Sequence, residues 1–166
     1  GFNQYEGTVG KATFHSIVTN GNGSLGMQFS KPVGSITVSN GVVTHGAEGQ
    51  TLVKGVIVVL PADAISVKPG GEIKELNISG GITTYGDNVH SYHVEGGVVK
   101  QINIKGDVAA NGNNSIAVAV SNNGETPLTN ISATSKQGIA VQISKGKVTD
   151  RTGITAKGVK GNIVEN

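Results

Sequence analysis

Apolar residues along this chain alternate with polar ones in short bursts of period two. They never sustain the i, i+3, i+4, i+7 stripe of an amphipathic helix. Gly interrupts almost every window of ten residues, which breaks helices and punctuates strands. The pattern predicts many short strands joined by tight turns, and no helix.

The bursts repeat. Ile36-Thr-Val-Ser-Asn-Gly-Val42-Val-Thr-His-Gly46, Leu76-Asn-Ile-Ser-Gly-Gly-Ile82-Thr-Thr-Tyr-Gly86 and Ile102-Asn-Ile-Lys-Gly-Asp-Val108-Ala-Ala-Asn-Gly112 superimpose without a gap, the last two 26 residues apart. A looser copy starts at Leu128 and runs to Gly138, a further apolar start falls at Ile154, and Ala12-Thr-Phe14 with Ile17 forms a degenerate first copy. A second code, small-bulky-any-bulky, interleaves with the first: Gly26-Met-Gln-Phe29, Gly55-Val-Ile-Val58, Ser91-Tyr-His-Val94, Ser115-Ile-Ala-Val118 and Gly138-Ile-Ala-Val141.

A helix-free repeat of this length fits one coil of a solenoid. The fold expected is all-β, a single-stranded right-handed parallel β-helix of about six coils stacked about 4.8 Å apart. Each coil would carry three strands, as over residues 102–104, 108–110 and 116–120. Gly and Asn would take the corners, where φ is often positive. The whole chain, 1–166, reads as one domain. The wider interval between Ile36 and Leu76 implies an insertion, placed near 60–74 between Pro61 and Gly71, while the apolar run Gly55 to Leu60 reads as a buried strand. A β-sandwich also has short strands, but it does not require a recurring 26-residue phase.

Composition supports this picture and narrows the function. Of 166 residues 26 are Gly and none is Cys, charged residues are 14% and aromatics 4%. A net charge of +2 is too slight to argue for nucleic acid or an anionic membrane as partner, and no run is long enough for a transmembrane helix. An intracellular protein can lack Cys by chance, and the absence of Cys also suits a bacterial protein secreted unfolded across membranes. The chain opens at Gly1 without a leader, so it reads as a segment of something longer.

The stretch Ile82-Thr-Thr-Tyr-Gly-Asp-Asn-Val-His-Ser-Tyr-His-Val-Glu-Gly-Gly97 resembles the coils of bacterial autotransporter passenger domains, pertactin-like parallel β-helix adhesins. There a Gly-Asp-Asn or Gly-Asn-Asn turn leads into small, bulky, spacer, Val. Gly112-Asn-Asn-Ser-Ile-Ala-Val118 and Lys136-Gln-Gly-Ile-Ala-Val141 repeat the likeness, which extends loosely over residues 24–160. It implies a non-enzymatic, secreted or cell-surface adhesin, associated with virulence. Its partners would be a surface protein, a glycan or neighbouring rods. Such passengers share a scaffold rather than a site, so the likeness transfers no catalytic residue.

Searching for chemistry yields little. No Gly-x-Ser-x-Gly elbow occurs, and Ser24 in Gly23-Ser24-Leu25-Gly26 reads as a turn residue. His90 and His93, with Asp87 nearby, offer metal-ligand chemistry. Residues three apart on a strand face opposite sides, however, so the two cannot share an ion unless a corner falls between them. His93 is accordingly expected on the surface and His90 at a corner, with no metal or cofactor assigned. A polysaccharide lyase or tailspike is the alternative function, and it would need clustered carboxylates. Glu72 and Glu75 are the closest pair, facing opposite sides if extended, and Asp63 reaches them only if the insertion folds back. Asn77 and Asn103 stand where Thr37 does, and Ala109 where Thr83 does, so no Thr ladder for ice binding forms. Lys136, Lys145, Lys147, Arg151, Lys157 and Lys160 bias the C-terminal part positive without aromatics to stack bases.

Overall fold

The computed structural model describes residues 1–166, and every regular element in it is a strand. The chain winds through three parallel sheets once per coil and so forms the expected β-solenoid of about six coils. The first sheet stacks Phe2–Gln4, Met27–Phe29, Ile65–Val67, His90–Glu95, Ile116–Ser121, Ile139–Ser144 and Gly161–Glu165. The second runs from Val9–Phe14 through Pro32–Val38 and Glu72–Ile78 to Lys147–Val148, and the third from Ile17–Thr19 to Thr155–Gly158.

The first code is the register of the second and third sheets. Leu76 pairs with Ile36 on one side and Ile102 on the other, and Ile82 pairs with Val42 and Val108. The degenerate first copy also holds, with Ala12 beside Ile36, Phe14 beside Val38 and Ile17 beside Val42. Side chains of these rows fill the cylinder: Ile36, Leu76, Ile82 and Val108 are wholly buried in one cluster of 29 residues. The Gly that closes the code has a steric cause. A Cβ on Gly86 would lie 2.0 Å from the carbonyl oxygen of Gly46, and one on Gly112 would lie 1.9 Å from that of Gly86. Coils stack there backbone on backbone, and no side chain fits.

Interior hydroxyls brace the corners between the third and first sheets. Thr19 Oγ1 donates to the Ser24 carbonyl, Thr44 Oγ1 to that of Ala62, and Ser135 Oγ to that of Ser115. Ser91 Oγ donates to the Ala109 carbonyl and so accepts from Thr84 Oγ1, 2.9 Å away. Each hydroxyl satisfies a buried backbone or side-chain group that would otherwise lose its water without compensation.

The insertion lies earlier than the expected 60–74. It is an antiparallel hairpin, Gly49–Val53 with Val56–Leu60, turning on Lys54 and Gly55, both at positive φ. Two residues with positive φ match the right-handed twist of hairpin strands. Residues 60–74 instead contain a regular rung, Ile65–Val67, paired with Met27–Phe29 and with Tyr92 to Val94. The run Gly55 to Leu60 is therefore no buried strand: Val56, Ile57 and Val59 are exposed. Alternation alone cannot separate a rung from a hairpin arm, because both have period two.

The second code is real but slips by two residues in later coils. Tyr92 pairs with Val118, and Val118 with Val141, so the equivalent quartets begin at Gly26, Ala64, Ser91, Ala117 and Ala140. Ser115 and Gly138 precede their quartets. Similarly, Thr155 pairs with Ser132, which makes Ile154 the counterpart of Ile131 rather than of Leu128.

Candidate functional site

Alternation along the first sheet breaks once per coil, and the break builds a site. Ala64 and Ile65 are consecutive and both lie in the core; one coil on, Ser91 bonds inside the cylinder and its neighbour Tyr92 is in the core as well. Two successive inward residues put the flanking positions on one outer face. Asp63 and Ser66 therefore share that face, and so do His90 and His93 in the next coil. The break at Ser91 and Tyr92, inside the strand His90–Glu95, is what lets the two histidines meet. The expectation that they face opposite sides is corrected, and so is the placement of His93 on the surface, since it is only 8% exposed.

The carboxylate they meet is Asp63, itself wholly buried. His90 donates its backbone amide to Asp63 Oδ1 at 2.7 Å, and the Ala64 amide returns a bond to the His90 carbonyl. His90 Nδ1 lies 3.0 Å from Oδ1, and His93 Nδ1 lies 3.1 Å from Oδ2. The imidazole centroids are 4.2 Å apart. His93 Nε2 is held by Ser121 Oγ of the following coil at 3.0 Å. Burial pushes the Asp63 carboxyl up, but the His90 charge and the hydrogen bonds of both rings outweigh it and hold it well below the usual carboxylate range. Burial pushes the His93 imidazole down, against the opposing pull of Asp63. Asp63 has no Lys or Arg partner; its ionic contacts are the two rings.

Asp87, the carboxylate near these histidines in sequence, lies elsewhere and accepts the Asn113 amide on an exposed turn. His45 stacks on Tyr85 at 4.9 Å. Asp63 does not approach Glu72 or Glu75 as a third carboxylate. Glu72 is exposed, Glu75 accepts from Asn77 Nδ2, and Asp63 has both oxygens occupied by the histidines. No general acid–base pair forms from these three. Ser24 is a turn residue, its amide bonded to Gly21 and its carbonyl to Thr19. Among the C-terminal basic residues, Arg151 pairs with Glu165 and Lys147 lies 3.7 Å from Glu125. The outward Thr37, Asn77 and Asn103 share one row, and Thr83 and Ala109 another, so no Thr array forms.

The hairpin is the second surface feature, and its second arm is the apolar run whose pattern reads as a core strand. Leu52 pairs with Ile57 across it, and Val59 stands two residues beyond Ile57 on the same face. These side chains are 69%, 67% and 57% exposed. Thr51, Leu52, Val53 and Leu60 of the hairpin also border an open cleft of about 240 Å³ shared with Phe2, Tyr5 and Leu25. No helix is long and apolar enough to cross a membrane. Comparisons with protein-family models, curated proteins and solved structures find no match to this chain.

Proposed function

We propose that this chain is a stiff segment of a secreted or cell-surface β-solenoid that binds other surfaces and turns over no substrate. The reading makes it a passenger-type adhesin or self-associating rod, which meets host or neighbouring cells through its outer faces. The observation that carries it is the hairpin: Leu52, Ile57 and Val59 form an apolar patch projecting from a rod whose other large apolar residues are mostly core. Clustered exposed apolar residues on a soluble fold mark contact surfaces. On this reading the binding region is the hairpin, residues 49–60. Supporting the surface location are the Cys-free composition and the backbone-stacked coils, which make a rod rather than a pocketed globule. Against turnover stand the scattered carboxylates, with Asp63 sealed beneath two histidines.

The test is adhesion of beads coated with the chain to host-cell and bacterial monolayers, alongside sedimentation of the free chain over a concentration series. The triple variant Leu52→Ser, Ile57→Ser, Val59→Ser should lose bead binding or self-association while keeping its thermal midpoint. Release of oligosaccharide from a polysaccharide panel, or full binding by the triple variant, would overturn the proposal.

A further inference from the structure

We propose that Asp63, His90 and His93 form a binding site for one first-row divalent metal ion of the zinc type, which staples two successive coils together. The outer-face patch has two rows of two. Asp63 and Ser66 come from one coil; His90 and His93 come from the next, with Ser66 and His93 directly paired. Ligand atoms of the three titratable residues all lie within 4.8 Å of one another. The His90 Nδ1–Oδ1 and His93 Nδ1–Oδ2 separations of 3.0 and 3.1 Å are close to the edge of a tetrahedron around zinc, about 3.3 Å for bonds of about 2.0 Å. Two imidazoles and a carboxylate are a donor set that zinc-type ions favour, and three protein ligands leave a position for water.

Three independent features point the same way. The first is charge: a wholly buried carboxylate with no Lys or Arg beside it has only two imidazoles as ionic partners, and a dication meets its negative charge in full. The second is Ser66, whose buried Oγ has no hydrogen-bond partner although it adjoins His93 in register. A metal-bound water gives that hydroxyl a partner. The third is Ser121. In the ion-free site His93 Nδ1–H donates to Asp63 and Nε2 accepts from the Ser121 hydroxyl; with an ion bound, the same hydroxyl can turn to accept from Nε2–H, the tautomer that leaves the Nδ1 lone pair for metal. His90 is half-buried, so the site has a solvent-facing side through which an ion enters.

Equivalent positions in the other coils lack such ligands. The His93 row continues as Gln28 and Ser66 before it and as Ala119 and Gln142 after it. The site therefore occurs once, in the coil just after the hairpin. It clamps the rung that re-enters the solenoid after the hairpin, at Asp63, to the rung above.

The full chain, stripped with chelator, is titrated with Co²⁺ and followed by visible d–d absorption, then challenged with Zn²⁺. Expected are the intense bands of four- or five-coordinate cobalt saturating at a single equivalent, their loss on Zn²⁺ addition, and a thermal midpoint raised by several degrees with excess Zn²⁺. His90→Ala should weaken Co²⁺ binding by a hundredfold or more. Ser121→Ala, which touches no ion, should weaken it about tenfold with the band positions retained. Absence of the bands in the unmodified chain overturns the proposal whatever the variants do. Undiminished binding by His90→Ala, which replaces a part-buried side chain outside the core cluster, overturns it too.

Discussion

The amide of His90 donates to the carboxylate of Asp63 across 2.7 Å, from one coil to the coil beneath. That bond, with two imidazole contacts, makes Asp63 a buried anchor for the start of the first-sheet rung after the hairpin. Asp63→Asn keeps the shape but sets an NH2 group against donors. It should cost about 3 kcal/mol in urea unfolding at neutral pH, as breaking a buried charged network does. The carboxyl is held below its ordinary 3.8, so its stabilisation is complete above that value and is lost as pH falls below it toward the lowered folded value. The gap between the unmodified chain and Asp63→Asn should therefore narrow in urea midpoints collected from pH 5 downward; a constant gap would refute the assignment.

Tyr92 Oη lies 2.8 Å from Thr126 Oγ1, and Thr126 in turn donates to the Pro127 carbonyl. Tyr92 must therefore be the donor to Thr126. Tyr92→Phe removes one donor and leaves Thr126 bonded, so it should cost only about 1 kcal/mol. Burial, the largest cause, pushes the phenol up. The folded state then holds Tyr92 protonated, and the associated stability is present below pH 10 and declines as pH rises beyond it. Guanidinium unfolding of both proteins at pH 8 and pH 11 should show Tyr92→Phe gaining on the unmodified chain at the higher pH.

Stacked glycines divide sharply by what lies beneath them. Gly86→Ala forces a Cβ to 2.0 Å from the Gly46 carbonyl, while Gly10→Ala meets nothing within 4 Å. Differential scanning calorimetry should show Gly86→Ala destabilised by about 3 kcal/mol or unfolded, and Gly10→Ala within about 0.5 kcal/mol of the unmodified chain.

Gly49 and Leu60 face each other at the base of the hairpin, and the ladder above them joins its two arms to each other. Replacing residues 50–59 with Asn-Gly closes the base with a two-residue turn. The shortened chain should keep its β-sheet circular dichroism and a single cooperative transition, because rung 65–67 retains both neighbours. Collapse of the fold would show the hairpin to be part of the coil.

Much of the solenoid was legible without coordinates because coil stacking imposes its spacing on the residues themselves. Ile36, Leu76 and Ile102 must be apolar to fill the cylinder, and Gly46, Gly86 and Gly112 must lack a side chain to let backbones touch. Those demands act at fixed sequence intervals, so they are written in order along the chain. The slip of the second code by two residues was not legible, since Ser115-Ile-Ala-Val118 and Ala117-Val-Ala-Val120 satisfy the same pattern and only pairing with Tyr92 chooses between them.

The hairpin and the Asp–His cluster belonged to the tertiary structure. Lys54 and Gly55 can turn a hairpin as readily as a corner, and the apolar arm at Val56 to Leu60 reads as core until its neighbours are known. His90 and His93 share a face because Ser91 and Tyr92 both turn inward, a local break in alternation within the strand. Asp63 joins them from a preceding coil, 27 residues from His90, through sheet registration. The sequence by itself determined the repeat, the cylinder and its glycine seams, because each depends on residue type at a fixed interval. Which residues stand together on its outer face was decided by stacking, because neighbours there come from different coils and no local pattern records the match.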